Sequence, residues 1–317
     1  MSQTKEDHAK EDQTMKNQDF LESYDINQYD RPSIAADIAV FSIGSRKIEG
    51  SDYRKLPVKT LRLLLIRRAE QPFQGEWALP GGFMQKGETI QETARRELTE
   101  ETGTDKAYLE LCDVFSDSGR DPRGWIVSQA FVAVLNEDDL ANGHLEASGD
   151  AGEAAWFDIT VQKTADRKQE RDNVVTCDRA YALQLRKSGV QDENAAVSLC
   201  AVIGEHIEYR DYHEIVTYDI VDSQGIAFDH AKIITSVFNR LRRMLESDIR
   251  IAFDFMPEYF TLTDLQEAVE LISGQELIKP NFRRKIAAYV LETDRLTQNG
   301  GHRPAKAFVR NLERFYQ

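Results

Sequence analysis

The sequence predicts an α/β fold followed by a small domain of helices and a hairpin. Three observations predict it. Strand-like apolar runs flank one strongly helical stretch, and the C-terminal residues read as two helices and a hairpin. At 317 residues and 41% hydrophobic content, the chain has room for a domain of about 150 residues and at least one smaller unit.

Residues 1–27 carry seven acidic side chains against three lysines and little periodic apolar content. Such a segment cannot bury enough surface to fold alone and is expected to be a disordered tail. The α/β domain is expected over residues 28–160, with strands at Ile34–Ile43, Leu61–Ile66, Tyr108–Phe115, Ile126–Leu135 and Ala154–Phe157. Between the second and third lies a helix. Thr89 and Glu92 form a capping box, Ile90, Ala94 and Leu98 recur every four residues as its buried face, and Gly103 stops it. Residues 161–225 are expected to be an insertion packed on this domain, with Arg167–Arg186 helical and Ala196–Ile203 and His213–Val221 as strands. A connecting helix within 226–250 has Ile233, Ile234, Val237, Phe238, Leu241 and Leu245 on one stripe, suited to a domain connection or a dimer seam. In 251–317, Thr263 can cap a helix running to Ile272 and stopped by Gly274, and Pro280 opens a second helix. Asn299-Gly300 is a hairpin signal before the strand Ala305–Val309, which completes the outline of a winged helix.

The formal net charge of −14 opposes indiscriminate nucleic-acid binding, so any DNA contact must come from a local basic patch. Cys112, Cys177 and Cys200 lie far apart, without the spacing of a disulfide framework or a thiolate zinc site. Apolar runs such as Leu63-Leu64-Leu65-Ile66 are far shorter than the ~20 residues that cross a bilayer, and no charged-then-apolar leader opens the sequence. A cytoplasmic protein without a membrane partner is expected.

The chemistry concentrates around the first helix. Gly82, Glu88, Arg96-Glu97-Leu98, Glu100-Glu101 and Gly103 stand at fixed spacing. Glu97, Glu100 and Glu101 at i, i+3 and i+4 cluster their carboxylates, which repel unless something positive sits among them. Hard oxygen ligands select Mg²⁺ or Mn²⁺, shared with substrate phosphates. Leu79-Pro80-Gly81-Gly82-Phe83 is a glycine loop whose backbone can approach metal and phosphate closely.

This pattern resembles the Nudix signature in every fixed position but the last, where Thr104 replaces the usual aliphatic residue. The resemblance implies an α/β/α sandwich with a mixed sheet that binds a nucleoside diphosphate compound. It further implies metal ligation by Glu97, Glu100, Glu101 and the carbonyl of Gly81, with one carboxylate as base in hydrolysis. Arg96 and Glu88 are expected to orient the cluster as an ion pair. Glu153 and Glu146 are alternative bases, and spacing does not choose between them. An intact box that binds ligand but turns it over slowly is the competing expectation.

Arg68 to Phe83 and Gly119-Arg120-Asp121-Pro122-Arg123-Gly124 resemble the ADP-ribose-type branch of that superfamily, which includes the NrtR-like Nudix-related transcriptional regulators of NAD metabolism. Arg68, Trp77, Phe83, Arg120 and Arg123 are the substrate-binding candidates. Arginine forks suit phosphate and ribose oxygens, and Trp77 either stacks or packs. The Gly-Arg-Asp-Pro-Arg turn can equally hold itself together through Arg120 and Asp121. Ala227-Phe228-Asp229-His230 and segments after Phe260 resemble the regulators' connecting helix and winged helix. His230 and His302 are expected to be hydrogen-bonded structural residues.

Charge points the same way. Residues 253–278 hold six acids and no Lys or Arg, whereas 279–317 hold nine basic and three acidic side chains. Lys279, Asn281, Arg283, Arg284 and Lys285 fall on the second helix and Arg303 and Lys306 on the wing, positions that suit double-stranded DNA. The alternative is that these cations pair with the acidic half of the same domain. Two functions follow: a metal-dependent hydrolase of ADP-ribose or a related nucleoside diphosphate, or a ligand-sensing regulator with little turnover that reads DNA as a homodimer.

Overall fold

Ten consecutive buried residues run through the middle of β1 (Ser33–Arg46), and a strand apolar on both faces must lie inside a sheet covered on both sides. The computed structural model describes residues 15–46, 58–136, 138–139, 151–190, 196–297 and 304–315. In it, β1 pairs antiparallel with β2 (Val58–Arg68) and with the short β4 (Gly81–Phe83), and parallel with β6 (Ile126–Val134). The order across the sheet is β10-β9-β8-β7-β2-β1-β6-β5, where β5 is Tyr108–Phe115, β7 Ala151–Arg171, β8 Val174–Lys187, β9 Ser198–Arg210 and β10 His213–Gln224. β3 (Trp77–Ala78) pairs with β2 beside this path.

A helix covers each face. On one, Ala94 and Leu98 of α1 (Ile90–Thr102) pack on Ala36, Ile38, Val40, Leu64 and Phe131. On the other, Ile233, Ile234, Val237, Phe238 and Leu241 of α2 (His230–Ser247) pack on Phe41, Leu63, Phe157, Leu183 and Ile203. The expected α/β/α sandwich with a mixed sheet is therefore present. Each of the Val, Leu, Ile and Phe side chains, fully withdrawn from water, contributes about 1.5–3 kcal/mol.

The expected helix over Arg167–Arg186 is absent. β7 continues from the sandwich for 21 residues and folds back as β8 through Asp172 and Asn173, both at positive φ, 50° and 63°. Two consecutive left-handed residues make the tight turn whose twist matches a hairpin. Residues 161–225 thus extend the sheet itself, and the strands expected at Ala196–Ile203 and His213–Val221 are β9 and β10.

The C-terminal part begins with a 3-10 segment, Ile249–Phe255, followed by α3 (Leu262–Ser273), α4 (Lys279–Ile286), the antiparallel pair β11 (Val290–Thr297) and β12 (Ala305–Arg310), and the short α5 (Leu312–Phe315). This is the expected winged helix. The cap of α3 is Thr261 rather than Thr263: its hydroxyl accepts the amide of Asp264, whose carboxylate accepts the amide of Thr261. Pro280 sits in the first turn of α4 as expected. Asn299-Gly300 lies outside the described residues.

One apolar core runs without a break from the sheet through α2 into Phe253, Phe260, Leu265 and Ile272. Arg242 of α2 fastens the three parts: Nε donates to the Ile272 carbonyl at the end of α3, and a terminal nitrogen donates to the Val161 carbonyl of β7, each at 3.0 Å.

Residues 15–32 belong to a unit separate from Ser33 onward. Within it 15–23 are helical, against the expectation of a structureless tail, and 15–31 are exposed throughout. No helix among the described residues is long and apolar enough to cross a membrane.

Candidate functional site

The glycine loop lies along β1. Gly81, Gly82 and Phe83 pair with Asp37, Ala36 and Ala35, and the Ile38 amide donates to the Pro80 carbonyl at 2.8 Å. This proximity leaves no free space for a side chain at Gly81 or Gly82. A Cβ on Gly81 would run into the Ala36 carbonyl, and one on Gly82 would fall on the Glu97 carboxylate. Glu97 therefore rests directly against the loop backbone.

The supporting helix forms as its sequence dictates. Both bonds of the Thr89–Glu92 capping box are made, and Gly103 closes the C-terminus in a left-handed conformation. Arg96 is the hub of the cluster. Its Nε donates to Glu88 Oε1 at 2.8 Å, one terminal nitrogen reaches Glu97 Oε1 at 2.6 Å and lies 3.5 Å from Glu100 Oε1, and the other donates to the Phe83 carbonyl at 3.2 Å. The Glu88 carboxylate also accepts from the Gln85 amide and the Thr93 hydroxyl. Arg96, and then the Gln85 amide, hold Glu88 down at about 2. Glu101 is buried at 4% exposure.

These donors suit a hard divalent cation. They are carboxylate and carbonyl oxygens beside a backbone cradle that only glycine leaves open. In the described conformation, however, Arg96 engages Glu97 and Glu100, and no three His, Cys, Asp or Glu side chains among the described residues are grouped to hold a metal. A bound cation would have to take these carboxylates from Arg96.

The substrate-binding candidates fall into two groups. Trp77 is buried at 4%, edge-on to Phe157 with ring centroids 4.8 Å apart, so of its two readings the structure takes packing. The others meet at the start of α2. Arg120 forms a forked pair with Asp229, at 2.9 and 2.7 Å, and lies 3.7 Å from Asp37. Arg123, not Arg120, pairs with Asp121, at 2.7 Å. Burial raises the Asp121 carboxyl, but Arg123 and the Arg123 amide more than offset this and leave it lowered. The Arg123 guanidinium lies 5.1 Å from the ring centroids of both Phe83 and Phe228, and that of Arg68 lies 5.0 Å from Phe228. Arg68 also donates to the Pro72 carbonyl at 2.7 Å.

Asp37, Ser128, Phe228 and Asp229 were not among the site residues expected from the sequence, although Phe228 and Asp229 lie in the segment that resembles the regulators. An acid inside the apolar run Ile34–Ile43 was the available signal for Asp37, whose carboxylate accepts from the Ser128 hydroxyl. His230 is hydrogen-bonded as expected: Nδ1 accepts the Leu79 amide at 2.9 Å, while Nε2 lies 3.9 Å from Asp37. Of the alternative bases, Glu153 is ion-paired with Lys187, and Glu146 lies outside the described residues.

On the winged helix, Phe282 and Ile286 anchor α4 from one side and leave Lys279, Asn281, Arg283, Arg284 and Lys285 exposed. Arg284 donates to Asn281 at 3.1 Å, and Lys306 is paired with Glu292 across the wing. Arg303 and His302 lie outside the described residues. Acids of the 253–278 stretch are taken elsewhere: Asp264 by Lys59 of β2, and Asp254 by Arg310. Among the described residues, none is within ion-pair distance of Arg283, Arg284 or Lys285.

Comparison with known proteins follows the same division. Residues 58–176 match the NUDIX domain family, and residues 252–309 match the NrtR DNA-binding winged helix domain family. The chain is 28% identical over 295 residues to the ADPR responsive transcriptional repressor NtrR of Acinetobacter baylyi, spanning 92% of this chain and 87% of that protein. An ADP-ribose pyrophosphatase of Methanocaldococcus jannaschii is 44% identical over 101 residues, 32% of this chain and 57% of that enzyme. The crystal structure of a MutT/nudix family protein from Enterococcus faecalis superposes with a TM-score of 0.58 at 22% identity, covering 94% of this chain and 93% of the other.

Proposed function

Since the chain joins a Nudix domain to a winged helix domain of the NrtR type, we propose that it is a transcriptional regulator that senses ADP-ribose or a related nucleoside diphosphate and binds operator DNA as a homodimer. One observation carries this reading: the likeness to an ADPR responsive repressor spans 92% of the chain and therefore both domains. It ranks the regulator above the hydrolase that the Nudix box by itself suggests.

The residues have the chemistry for each half. Arg68, Arg120 and Arg123 supply planar forks for phosphate and ribose oxygens. Glu97, Glu100, Glu101 and the Gly81 carbonyl would hold Mg²⁺ or Mn²⁺, which when bound would neutralise the diphosphate and lower the pKa of a coordinated water. Arg96, fixed by Glu88, holds Glu97 against the glycine loop and lies beside Glu100. The exposed face of α4 would present Lys279, Asn281, Arg283, Arg284 and Lys285 to the major groove, with Lys306 on the wing.

The test is a paired measurement. ADP-ribose with Mg²⁺ should raise the melting temperature of the intact chain and change its retention of a DNA duplex. Ligand binding with no DNA retention under any salt condition would overturn the regulator reading.

Retained hydrolysis is the second reading, favoured by the presence of all three glutamates on the helix and of Glu97 against the glycine loop. Phosphate release from ADP-ribose, lost in Glu101→Gln, would support it. Absence of turnover in the wild type would leave a Nudix fold used for sensing alone.

A further inference from the structure

Three arginines nominated for the ligand are all in contact with two consecutive residues of the chain itself. Phe228 lies against Arg68 and Arg123, and Asp229 holds Arg120 with both carboxylate oxygens. An aromatic ring next to an anion is also the chemical make-up of a nucleoside diphosphate: a base and a charged group. We infer that Phe228 and Asp229 are a built-in occupant of the ligand-recognition arginines, and that the ligand enters by displacing them. This rests on the proposed ligand class.

Three observations support displacement. The Arg120 side chain is only 5% exposed, so a phosphate cannot reach its fork while Asp229 covers it. Asp229 precedes α2, where a carboxylate ordinarily caps the helix, yet it makes no side-chain cap bond because both oxygens are turned to Arg120. Phe228 has a φ of 53°, a left-handed conformation that is strained for a side-chain-bearing residue and that opening would relieve.

The occupant is also joined to the rest of the molecule. His230, next in sequence, holds the Leu79 amide of the glycine loop, while Lys232 and Ser236 of α2 bind Asp117 and Asp113, the latter on β5. Fourteen positions after Phe228, Arg242 of the same helix grips the end of α3 in the winged domain. Displacing residues 228–229 therefore loosens the helix that carries that domain.

Calorimetric titration of the full chain with ADP-ribose and Mg²⁺, together with hydrogen exchange, tests the inference. Removing an occupant that is closed about nine-tenths of the time tightens apparent affinity about tenfold. Phe228→Ala and Asp229→Asn should each bind ADP-ribose more tightly than wild type, and ADP-ribose should speed amide exchange at residues 228–234 of the wild type. Phe228→Ala without ligand should shift DNA retention in the direction in which ADP-ribose shifts that of the wild type. If Asp229→Asn fails to fold because Arg120 is left buried, Phe228→Ala carries the test alone. Weaker or unchanged binding by Phe228→Ala, or exchange at 228–234 that slows or stays the same, overturns the latch. A wild type that does not bind ADP-ribose at all refutes instead the ligand class on which it rests.

Discussion

Asp264 divides its carboxylate between two domains: Oδ2 accepts the amide and hydroxyl of Thr261 and closes the capping box of α3, while Oδ1 accepts the ammonium of Lys59 from β2. Burial raises this carboxyl, but Lys59 and Thr261 more than offset that and leave it lowered. Asp264→Ala should lose about 1 kcal/mol of capping and up to about 1 kcal/mol of a partly buried ion pair. Lys59→Ala should lose only the second part. Calorimetric melting of the two variants checks this, and equal losses would mean that the cap contributes nothing.

The same helix shows how far the sequence was legible. Its stop at Gly274 and its apolar face were readable, but Thr261 and Thr263 compete as caps, and the box here uses Asp264 where the familiar signature has Glu or Gln. The Nudix helix had no such ambiguity, and its capping box at Thr89 and its stop at Gly103 are those its sequence marks. The extension of the sheet was harder. Residues 167–171 are long polar side chains with good helix propensity, but their pairing with β8 overrides it. Asp172-Asn173 was a usable turn signal, whereas Asp211-Tyr212, which turns β9 into β10 with φ of 47° and 69°, was not, because tyrosine does not mark such turns. What no local pattern can reveal is which distant partner an arginine chooses: Arg120 and Asp229 are 109 positions apart.

For DNA, the anchoring of α4 by Phe282 and Ile286 separates fold from function. Reversing charge at both Arg283 and Arg284 should leave the melting temperature nearly unchanged and abolish duplex retention at moderate salt. At low salt, the log–log slope of affinity against salt should fall by about 2, roughly one for each lost phosphate contact. Fluorescence anisotropy across a salt series measures both, and an unchanged slope would remove these arginines from the interface.

Gly82→Ala probes the metal site without deleting a ligand. The added Cβ falls on the Glu97 carboxylate, the mobile end of a side chain, so the carboxylate moves and the fold survives. Displacing a ligand in this way should weaken Mg²⁺ or Mn²⁺ binding about 10- to 100-fold, as loss of a supporting contact typically does. Titrating the ion while following the melting temperature should show the wild-type rise and little or none in Gly82→Ala or Glu97→Gln. A full rise in both variants would place the cation elsewhere.

The last prediction concerns pH and His230, the one histidine among the described residues that is enclosed by the site. His230 accepts the Leu79 amide at Nδ1, which requires a neutral ring, and it faces Asp37, Asp229, Arg120 and Arg68. Burial is the largest influence and lowers its pKa below the ordinary 6.5; the two carboxylates oppose this without reversing it. The unfolded chain therefore binds a proton at this residue before the folded chain does. Stability from His230 is complete above 6.5 and is lost as pH falls from 6.5 toward the depressed folded value. His230→Asn can offer an oxygen to Leu79 but cannot titrate. From about pH 8 to about pH 5, the wild type should lose more melting temperature than His230→Asn, most steeply in the lower half of that range. Parallel curves for the two proteins would show that the ring is not held neutral, and with it would go the hydrogen bond that ties α2 to the glycine loop.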